Sequence, residues 1–362
     1  EFAQKELKPG VIERDSSMAY PTDQVRQMAE LGFLGMMTDP SYGGGGMDTL
    51  SYVLAMEELS KVDNSCSVIM SVNNSLVCWG IETYGTAEQK QNYLPKLTSG
   101  EWIGSFCLSE PEAGSDATSQ KTTAVDMDDY YLLNGTKNWI TNGGTSSVHL
   151  VIAQTDRDKG HRGINAFIVE TSWPGVTIGA KEDKLGIRSS DTHTIMYNDV
   201  KVPKANRIGE DGFGFKFAMK TLEGGRIGIA AQALGIAAGS LELALQYSKE
   251  RETFGKPIHQ HQAISFKLAE MATEIEAARL LVYKAALLKD SGQDYAMASA
   301  MAKYYASEIA MKAATEAVQI HGGYGFVKEY HVERLFRDAK ITQIYEGTSE
   351  IQKIVISRQI LS

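Results

Sequence analysis

The spacing of the apolar residues changes twice along the chain, and this change restricts the possible folds more than any other feature. Up to about residue 103, apolar residues recur every three or four positions, as in amphipathic helices. Between Ile103 and about Ile208 the spacing falls to two, in short runs separated by turns, which is typical of β-strands. From about Gly214 the helical spacing returns. The sequence therefore predicts a helical region, a β region and a second helical region, in that order.

The middle region is predicted to form an antiparallel sheet or a small barrel. Its clearest strand candidates are residues 130–133, 150–153, 166–169 and 192–197. Asn134 and Gly135 follow the first of these and are predicted to form a hairpin turn. Because no helical stretch separates the strand candidates, the pattern argues against parallel βαβ units.

The third region contains long apolar stripes and many small residues. Gly228, Gly235 and Gly239 are spaced so that a second helix can approach closely, and Gly322–Gly323 is predicted to end the third long helix. A chain of 362 residues exceeds the size at which one hydrophobic core keeps growing. We therefore predict an α+β fold with domains at residues 1–103, 104–213 and 214–362, the last of them a helical bundle.

Composition excludes several classes of partner. The net charge of −9 argues against binding to nucleic acid or to an anionic membrane surface. We expect no membrane span and no signal peptide, since no uninterrupted apolar run approaches the required length. Cys66, Cys78 and Cys107 are widely spaced, which predicts reduced, structural thiols. Because the sequence begins at Glu1 in the middle of a pattern and without Met, we expect further residues upstream.

Familiar catalytic and nucleotide-binding motifs are absent from the sequence. The four glycines at residues 43–46 are not followed by Lys-Ser or Lys-Thr as in a P-loop, so they predict a mobile turn. The sequence has no Gly-x-Ser-x-Gly or His-Glu-x-x-His motif, and its seven His residues show no metal-ligand spacing. Residues 209–214 resemble a dinucleotide fingerprint but have no βαβ setting. Hydrolase, metal and nicotinamide chemistry are therefore disfavoured.

The strongest candidate for chemistry is the carboxylate of Glu346. It precedes an apolar helical pattern that Thr348 or Ser349 can cap, so it is predicted to lie in the loop before a helix N-terminus. The partial positive charge of such a terminus favours an ionised carboxylate, which suits a general base. Acidic residues before helices are nevertheless more often part of helix capping.

Two candidate sites lie in the β region. In residues 108–116, Ser109 and Ser115 supply hydroxyls and Gly114 allows close approach of a ligand, but a polar loop leading into a strand is equally compatible. Trp139 and Thr141 are two residues apart on one predicted strand, which suits stacking on a planar heterocycle. A core Trp before a turn is the alternative.

Further candidates lie in the second helical region. Arg226 suits an anionic ligand or an ion pair with Glu223. Residues 251–256 and 261–262 provide Arg, Thr and a Gly turn that suit a pyrophosphate, or they form a surface connection between helices. Gln319 and Gly323 lie at a predicted helix end, where the glycines also suit a simple C-cap.

The order of these motifs resembles the acyl-CoA dehydrogenase family along essentially the whole chain. Residues 83–90 and 221–230 are most similar to the short-chain, or butyryl-CoA, branch. The resemblance implies an N-terminal α-helical domain, a middle antiparallel β domain and a C-terminal four-helix bundle. It also implies an FAD enzyme that forms a homotetramer (a dimer of dimers), acts on an acyl-CoA and passes electrons to an electron-transferring flavoprotein. Such enzymes occur in the bacterial cytoplasm or the mitochondrial matrix.

The resemblance also assigns roles to individual residues. Glu346 matches the base that removes the α-proton, while the β-hydrogen leaves as hydride to flavin N5 and trans-2-enoyl-CoA forms. The Glu346 amide and a flavin hydroxyl would polarise the thioester carbonyl. The matched FAD positions are Phe106, Leu108, Ser109, Gly114, Ser115, Trp139, Ile140, Thr141, Thr348 and Glu350, and, from a neighbouring subunit, Arg251, Thr253, Phe254, His261, Gln262, Gln319 and Gly323. The matched substrate positions are Ser115, Glu223, Arg226, Gly347 and Arg358.

Two positions refine this assignment. Branched-chain and long-chain relatives place their base at the residue before the matching Arg, which here is Gly225, so Glu346 is the only candidate base. Glu223 stands where short- and medium-chain members have Asp, which weakens that substrate contact. The alternatives are a branched- or medium-chain dehydrogenase, an acyl-CoA oxidase and a non-catalytic protein that binds FAD and CoA thioesters. Oxidases carry an extra C-terminal domain, so a chain ending at Ser362 favours a dehydrogenase.

Overall fold

The computed structural model describes residues 1–361, and its first part is helical as predicted. Short π-helical turns at Ala3–Leu7 and Val72–Cys78 accompany the α-helices. Asp48, Asp63 and Thr86 cap three of these helices by accepting hydrogen bonds from first-turn amides. The α-helices are α1 (Val11–Ser17), α2 (Thr22–Glu30), α3 (Thr49–Ser60), α4 (Asn64–Ser71), α5 (Trp79–Tyr84) and α6 (Ala87–Thr98).

The middle part forms one twisted sheet. Its strands are β1 (Gly104–Cys107), β2 (Thr123–Asp126), β3 (Tyr130–Thr141), β4 (Val148–Gln154), β5 (Ile164–Glu170), β6 (Val176–Lys181), β7 (Thr192–Pro203) and β8 (Arg207–Ile208). The strand order is β6-β7-β3-β2-β4-β5-β8, with β1 beside β4. Most neighbouring strands are antiparallel as predicted, but β1 pairs with β4 in parallel, and β2 meets β4 in parallel at one residue pair.

The predicted hairpin turn at Asn134 and Gly135 is wrong. Both residues lie inside β3, where the pairing with β7 shifts register between Leu133 and Gly135. Gly135 has a φ of 151°, and a Cβ atom there would overlap Thr122. The glycine therefore serves an irregularity within a long strand rather than a chain reversal, because Gly is common at β-bulges as well as in turns.

The last part is built on long helices. They are α7 (Gly214–Glu250), α8 (Gln262–Asp290), α9 (Ala296–His321), α10 (His331–Thr342) and α11 (Ser349–Ile360), with a small hairpin of β9 (Glu252–Thr253) and β10 (Lys256–Pro257) between α7 and α8. Gly322 follows α9 and ends it, as predicted. The predicted close approach of helices is also confirmed, since a Cβ atom at Gly235 would lie 2.5 Å from the Glu57 carbonyl oxygen.

Helix α7 connects the three parts. Ile227 and Leu234 pack in the main helical core with α3, α8 and α9, whereas Phe217 packs in a second core against β4 and β5. Within residues 1–361, α7 is the one helix whose length and apolar composition would allow it to span a bilayer, which the sequence pattern did not anticipate. However, 83% of its most apolar stretch is buried inside the protein, so α7 is a core helix here.

A buried ionic cluster joins α10 to the other two parts. The Asp338 carboxylate accepts hydrogen bonds from Arg334 Nη1 at 3.0 Å, Asn64 Nδ2 at 3.1 Å and the Ile187 amide at 2.6 Å. Asp338 is 1% and Arg334 is 3% exposed. Arg334 also donates to the Val62 carbonyl oxygen at 2.6 Å. These contacts hold α10, and with it the loop that carries Glu346, against both α4 and the segment before β7.

Candidate active site

Glu346 lies in the short connection between α10 and α11. Glu346 and Gly347 both have a left-handed backbone, with φ values of 52° and 92°. The Thr348 hydroxyl accepts a hydrogen bond from the Ile351 amide at 3.3 Å and caps α11, as predicted. A left-handed conformation is unfavourable for a residue other than Gly, so its presence at Glu346 indicates that the surroundings hold this turn.

The Glu346 side chain faces α7 where that helix carries Gly225. A Cβ atom at Gly225 would overlap Glu346 Oε2 and would lie 2.7 Å from a methyl carbon of Leu76. The glycine therefore provides the space that the carboxylate occupies. Glu346 Oε2 is buried and has no hydrogen-bond partner among residues 1–361. A buried carboxylate oxygen without a partner is available to accept a proton from a ligand.

The electrostatic surroundings make this carboxyl group unusual. Burial raises the pKa of Glu346 to about 7, although Lys303 and Arg226 oppose the rise. The α11 N-terminus was expected to favour the ionised form, but removal of the carboxylate from water raises its pKa by more than the neighbouring positive charges lower it. A carboxyl group with a pKa near neutrality suits general acid–base chemistry.

The turn around Glu346 is held by side chains that no sequence motif singled out. Lys303 Nζ donates to the Gly347 carbonyl oxygen at 2.7 Å, and Gln352 Nε2 donates to the same oxygen at 2.8 Å. Gln352 also donates to the Glu346 carbonyl oxygen at 3.2 Å. Lys303 is completely buried. Its signal in the sequence was a lysine within the small-residue stripe of α9, three residues after Ala300.

Arg226 is buried beside Glu346 rather than paired in a solvated helix turn. It is 6% exposed, and its Nε atom has no hydrogen-bond partner among residues 1–361. Burial lowers its pKa, while Glu223 and Glu346 oppose the shift. Glu223 forms its ion pair with Lys220, at 2.8 Å. Arg226 therefore contributes a positive charge to the site and keeps a donor free.

Lys137 binds the buried side of the loop that contains Ser109 and Ser115. This fully buried lysine donates to the Leu108 carbonyl oxygen at 2.9 Å, to Glu110 Oε1 at 2.8 Å and to Gln120 Oε1 at 3.2 Å. No predicted motif included this lysine, and its neighbours Thr136 and Asn138 are polar, so no local pattern distinguished it. Ser109 is partly exposed, and Gly114 and Ser115 are exposed, so the loop presents them on its outer side.

Trp139 lies at an irregularity of β3. It has a φ of 60° where the pairing with β7 shifts register, and its side chain is 61% exposed. Ile140 is buried within the sheet core, so only its backbone can meet a ligand, whereas Thr141 is partly exposed. Phe106 and Leu108 pack at the edge of the second core. The indole is therefore exposed, with a partly exposed hydroxyl two residues later, and its stacking on a planar heterocycle stays a prediction.

A second set of predicted residues lies in a separate cleft of about 800 Å³. Arg251, Thr253 and Gly323 line this cleft, and Thr253 Oγ1 lies 3.1 Å from His261 Nε2. The Phe254 side chain beside it is 96% exposed. The lining residues come from the ends of α7 and α9 and the segments that follow them, and none comes from the eight-stranded sheet or the Glu346 turn.

The remaining predicted residues are not assembled into either site within this chain. Gln262 begins α8, and Gln319 is exposed near the end of α9. Glu350 and Arg358 are exposed on α11. Their predicted contacts stay predictions.

Family models match each part of the chain. The N-terminal, middle and C-terminal domain models of acyl-CoA dehydrogenases match residues 1–101, 105–200 and 212–361. The chain is 50% identical over 360 residues to a short-chain-specific acyl-CoA dehydrogenase of Clostridium acetobutylicum, which covers 99% of this chain and 95% of that protein.

Solved structures agree with the family models. Butyryl-CoA dehydrogenase from Megasphaera elsdenii superposes with a TM-score of 0.98 at 50% identity, over 100% of this chain and 95% of that one. A second solved chain is 52% identical and superposes with a TM-score of 0.98, over 99% of this chain and 95% of that one. Its structure is described as the electron transferring flavoprotein of Acidaminococcus fermentans, in the context of flavin-based electron bifurcation. With its whole length matched in sequence and in fold, the protein belongs to the acyl-CoA dehydrogenase family of flavoprotein oxidoreductases.

Proposed function

We propose that this chain dehydrogenates a short-chain acyl-CoA to the trans-2-enoyl-CoA and that Glu346 is the base that removes the α-proton. The observation that carries the proposal is the unpaired Glu346 Oε2, buried against Gly225 and Leu76. Short-chain relatives at 50% identity support the acyl length. A base at the position of Gly225 is excluded, because glycine has no acidic side chain.

In this proposal the α-proton moves to Glu346 Oε2 as the α,β double bond forms. The buried Arg226 and Lys303 supply positive charge that keeps a fraction of Glu346 ionised at neutral pH. The Glu346 amide has no hydrogen-bond partner among residues 1–361, so it is free to donate to the thioester carbonyl oxygen. A donor aimed at this oxygen stabilises the negative charge that develops as the α-proton leaves.

The residues around the β-sheet fit a flavin. An exposed indole at Trp139, the accessible hydroxyls of Ser109 and Thr141 and the open space over Gly114 suit a planar heterocycle with a polar edge. When bound there, FAD supplies the acceptor for the hydride that leaves the β-carbon. Lys137 and Glu110 would keep the Ser109 loop in place for this contact.

We also propose that Arg251, Thr253, Phe254, His261, Gln262, Gln319 and Gly323 complete the FAD site of a second copy of the chain, within a homotetramer. The cleft at Arg251 is separate from the Glu346 turn and the β-sheet loop, which supports a role toward another copy. Exposed aromatic side chains such as Phe254 and Phe326 beside it are suited to burial by a partner.

Replacing Arg251 with Ala should weaken the retention of FAD without removing Glu346 chemistry, because a cation that suits the diphosphate is lost. We expect the flavin-to-protein ratio after gel filtration to fall and added FAD to restore activity. Arg26→Ala, which removes an exposed arginine on α2, is the control and should keep its flavin. An unchanged flavin content in Arg251→Ala would contradict the proposed contact across subunits.

The pH dependence of the reaction follows from the state of Glu346. Its pKa is raised to about 7, so the group is protonated below this value and cannot accept the α-proton. The single-turnover rate of flavin reduction should therefore rise as the pH increases through about 7 and then level off. Stopped-flow absorbance on both sides of neutrality measures this profile. A rate that is independent of pH across that range would show that Glu346 is not the titrating base.

An electron-transferring flavoprotein is the proposed electron acceptor, supported by the likeness to a chain solved in that context from Acidaminococcus fermentans. Cys66, Cys78 and Cys107 are free and buried, which fits a reducing compartment such as the bacterial cytoplasm or the mitochondrial matrix. Rapid reoxidation of the reduced flavin by oxygen alone would instead indicate an acyl-CoA oxidase.

An anaerobic titration of the FAD-loaded protein with butyryl-, isovaleryl-, hexanoyl- and octanoyl-CoA tests the proposed function. Bleaching of the flavin absorbance that is strongest with butyryl-CoA supports the reaction and the chain length together. Stronger bleaching by a longer or branched thioester would keep the reaction and overturn the chain length. A flavin that none of the thioesters bleaches would overturn the reaction and favour a non-catalytic binding protein.

A further inference from the structure

Lys303 is a buried cation whose contact with the Glu346 turn the proposed reaction leaves without a purpose. It lies on α9, its side chain has no exposed surface, and its ammonium makes a hydrogen bond of 2.7 Å to the Gly347 carbonyl oxygen. A buried charge is unfavourable unless hydrogen bonds and opposite charges offset the loss of water. The offsetting groups here belong to the turn that carries Glu346.

The turn itself needs an external anchor. Two successive residues, Glu346 and Gly347, have positive φ, and the first of them is not a glycine. Only Gln352 and Lys303 donate to the Gly347 carbonyl oxygen among residues 1–361, at 2.8 and 2.7 Å. Gln352 belongs to α11 and moves with the turn, whereas Lys303 belongs to α9. Lys303 is therefore the donor that ties the Gly347 carbonyl oxygen to the bundle, whereas the Tyr345 hydroxyl donates to Gln232 on α7 and the Ser349 hydroxyl to Glu308 on α9.

The charge of Lys303 also acts on the Glu346 carboxyl. Lys303 is the larger of the two opposing influences on that buried group, ahead of Arg226. In turn, Glu346 is the main group that opposes the lowering of the Lys303 pKa, which burial brings to about 8. The charged and titratable groups around this pair are Arg226 on α7, Tyr52 on α3, Tyr345 in the turn, Glu308 on α9 and Glu350 on α11.

We infer that Lys303 is a positioning residue for the base: its hydrogen bond to Gly347 holds the left-handed turn, and its ammonium keeps Glu346 in the proton-accepting form. This inference rests on the proposed function, since it assigns Lys303 a purpose toward a proton-accepting Glu346. Lys303 would thus make two contributions, a hydrogen bond to Gly347 and a positive charge near Glu346. A neutral donor at this position should keep the first and lose the second, and an apolar side chain should lose both.

Two variants separate these contributions. Lys303→Gln removes the charge and retains a hydrogen-bond donor, and Lys303→Met removes both. Lys159→Met, which removes an exposed lysine of the β region, is the control for the change in net charge. The Glu346 carboxyl is titrated by infrared difference spectroscopy of the FAD-loaded protein, with the Glu346→Gln spectrum subtracted to isolate its band. This readout requires no turnover.

Both Lys303 variants should move the midpoint of the Glu346 titration, and the pH profile of flavin reduction, upward by about one pH unit or more, because an adjacent positive charge has been lost. Lys159→Met should leave both midpoints where they are in the unmodified chain. Hydrogen exchange at residues 345–349 should be faster in Lys303→Met but not in Lys303→Gln, because only the methionine variant lacks the donor from α9 to Gly347, and Gln352 of α11 remains in both.

The outcomes distinguish the two proposals. An unmoved infrared midpoint in Lys303→Gln would overturn the electrostatic part of the inference, and unchanged hydrogen exchange in Lys303→Met would overturn the anchoring part. If the unmodified chain is not bleached by any acyl-CoA, the proposed reaction fails, and the infrared and exchange measurements still decide what Lys303 does to Glu346.

Discussion

Replacing Glu346 with Gln should leave a folded, flavin-containing protein whose flavin is reduced by butyryl-CoA at least about 10³-fold more slowly. The substitution preserves the size of the side chain and the space made by Gly225, so binding of FAD and of the acyl-CoA should persist. What it removes is the oxygen that accepts the α-proton, and α7 offers no carboxylate at the position facing it, because that residue is Gly225. Single-turnover absorbance measures the rate, and the spectral change on mixing measures binding.

A matched control for this variant is Glu242→Gln, which neutralises an exposed glutamate on α7 that pairs with Lys61. The control should reduce its flavin at the rate of the unmodified chain. If Glu346→Gln retained the full rate of flavin reduction, the assignment of the base would be wrong. If it lost FAD or failed to bind the acyl-CoA, the effect would be structural, and the rate would carry no information about proton transfer.

Replacing Asp338 with Ala should destabilise the protein by about 3–5 kcal/mol, the largest effect on stability that we expect from a single substitution here. The variant leaves the Arg334 guanidinium buried without its carboxylate partner, which stands at 3.0 Å. It also leaves the Asn64 side chain and the Ile187 amide without the acceptor they now share. Thermal unfolding followed by circular dichroism measures the loss as a lower Tm.

Asp126→Ala provides the comparison, because Asp126, at the end of β2, forms an exposed ion pair with Lys204. Water screens exposed ion pairs so that they contribute little to stability, and this variant should unfold close to the unmodified chain. Because the Asp338 cluster holds α10, which leads into the Glu346 turn, the Asp338 variant should also reduce flavin more slowly below its unfolding temperature. Equal Tm values for the two variants would contradict the proposed importance of the buried cluster.

Local spacing of residues was sufficient for much of the fold. The change from helical to strand periodicity and back placed the three regions, and the Gly322 end of α9 was correct. Asn134–Gly135 was misassigned because the same two residues that form a tight hairpin turn also suit a bulge within a long strand. Which of the two forms depends on whether a partner strand continues past the pair, and β7 does.

The candidate base was also recognisable from the sequence, because Glu346 lies in a distinctive turn before a cappable helix and Gly225 cannot act in its place. The pKa of this carboxyl group was not recognisable from the sequence. The helix terminus predicted that the ionised form is favoured, and burial, which opposes it, raises the pKa of Glu346 to about 7. Burial depends on α7, on α9 and on the π-helical turn that carries Leu76, which are distant in sequence, so no local pattern reports it.

The periodicity of neighbouring residues and the order of the motifs thus predict the succession of helices and strands, the family and the candidate carboxylate. The supports of the site come only from long-range packing. Lys303 and Lys137 look like ordinary lysines in a helix and a strand, and each becomes a buried anchor because the chain folds a carbonyl oxygen onto it. Removal of water makes the hydrogen bonds of these two ammonium groups important for the site, and only the folded chain removes that water.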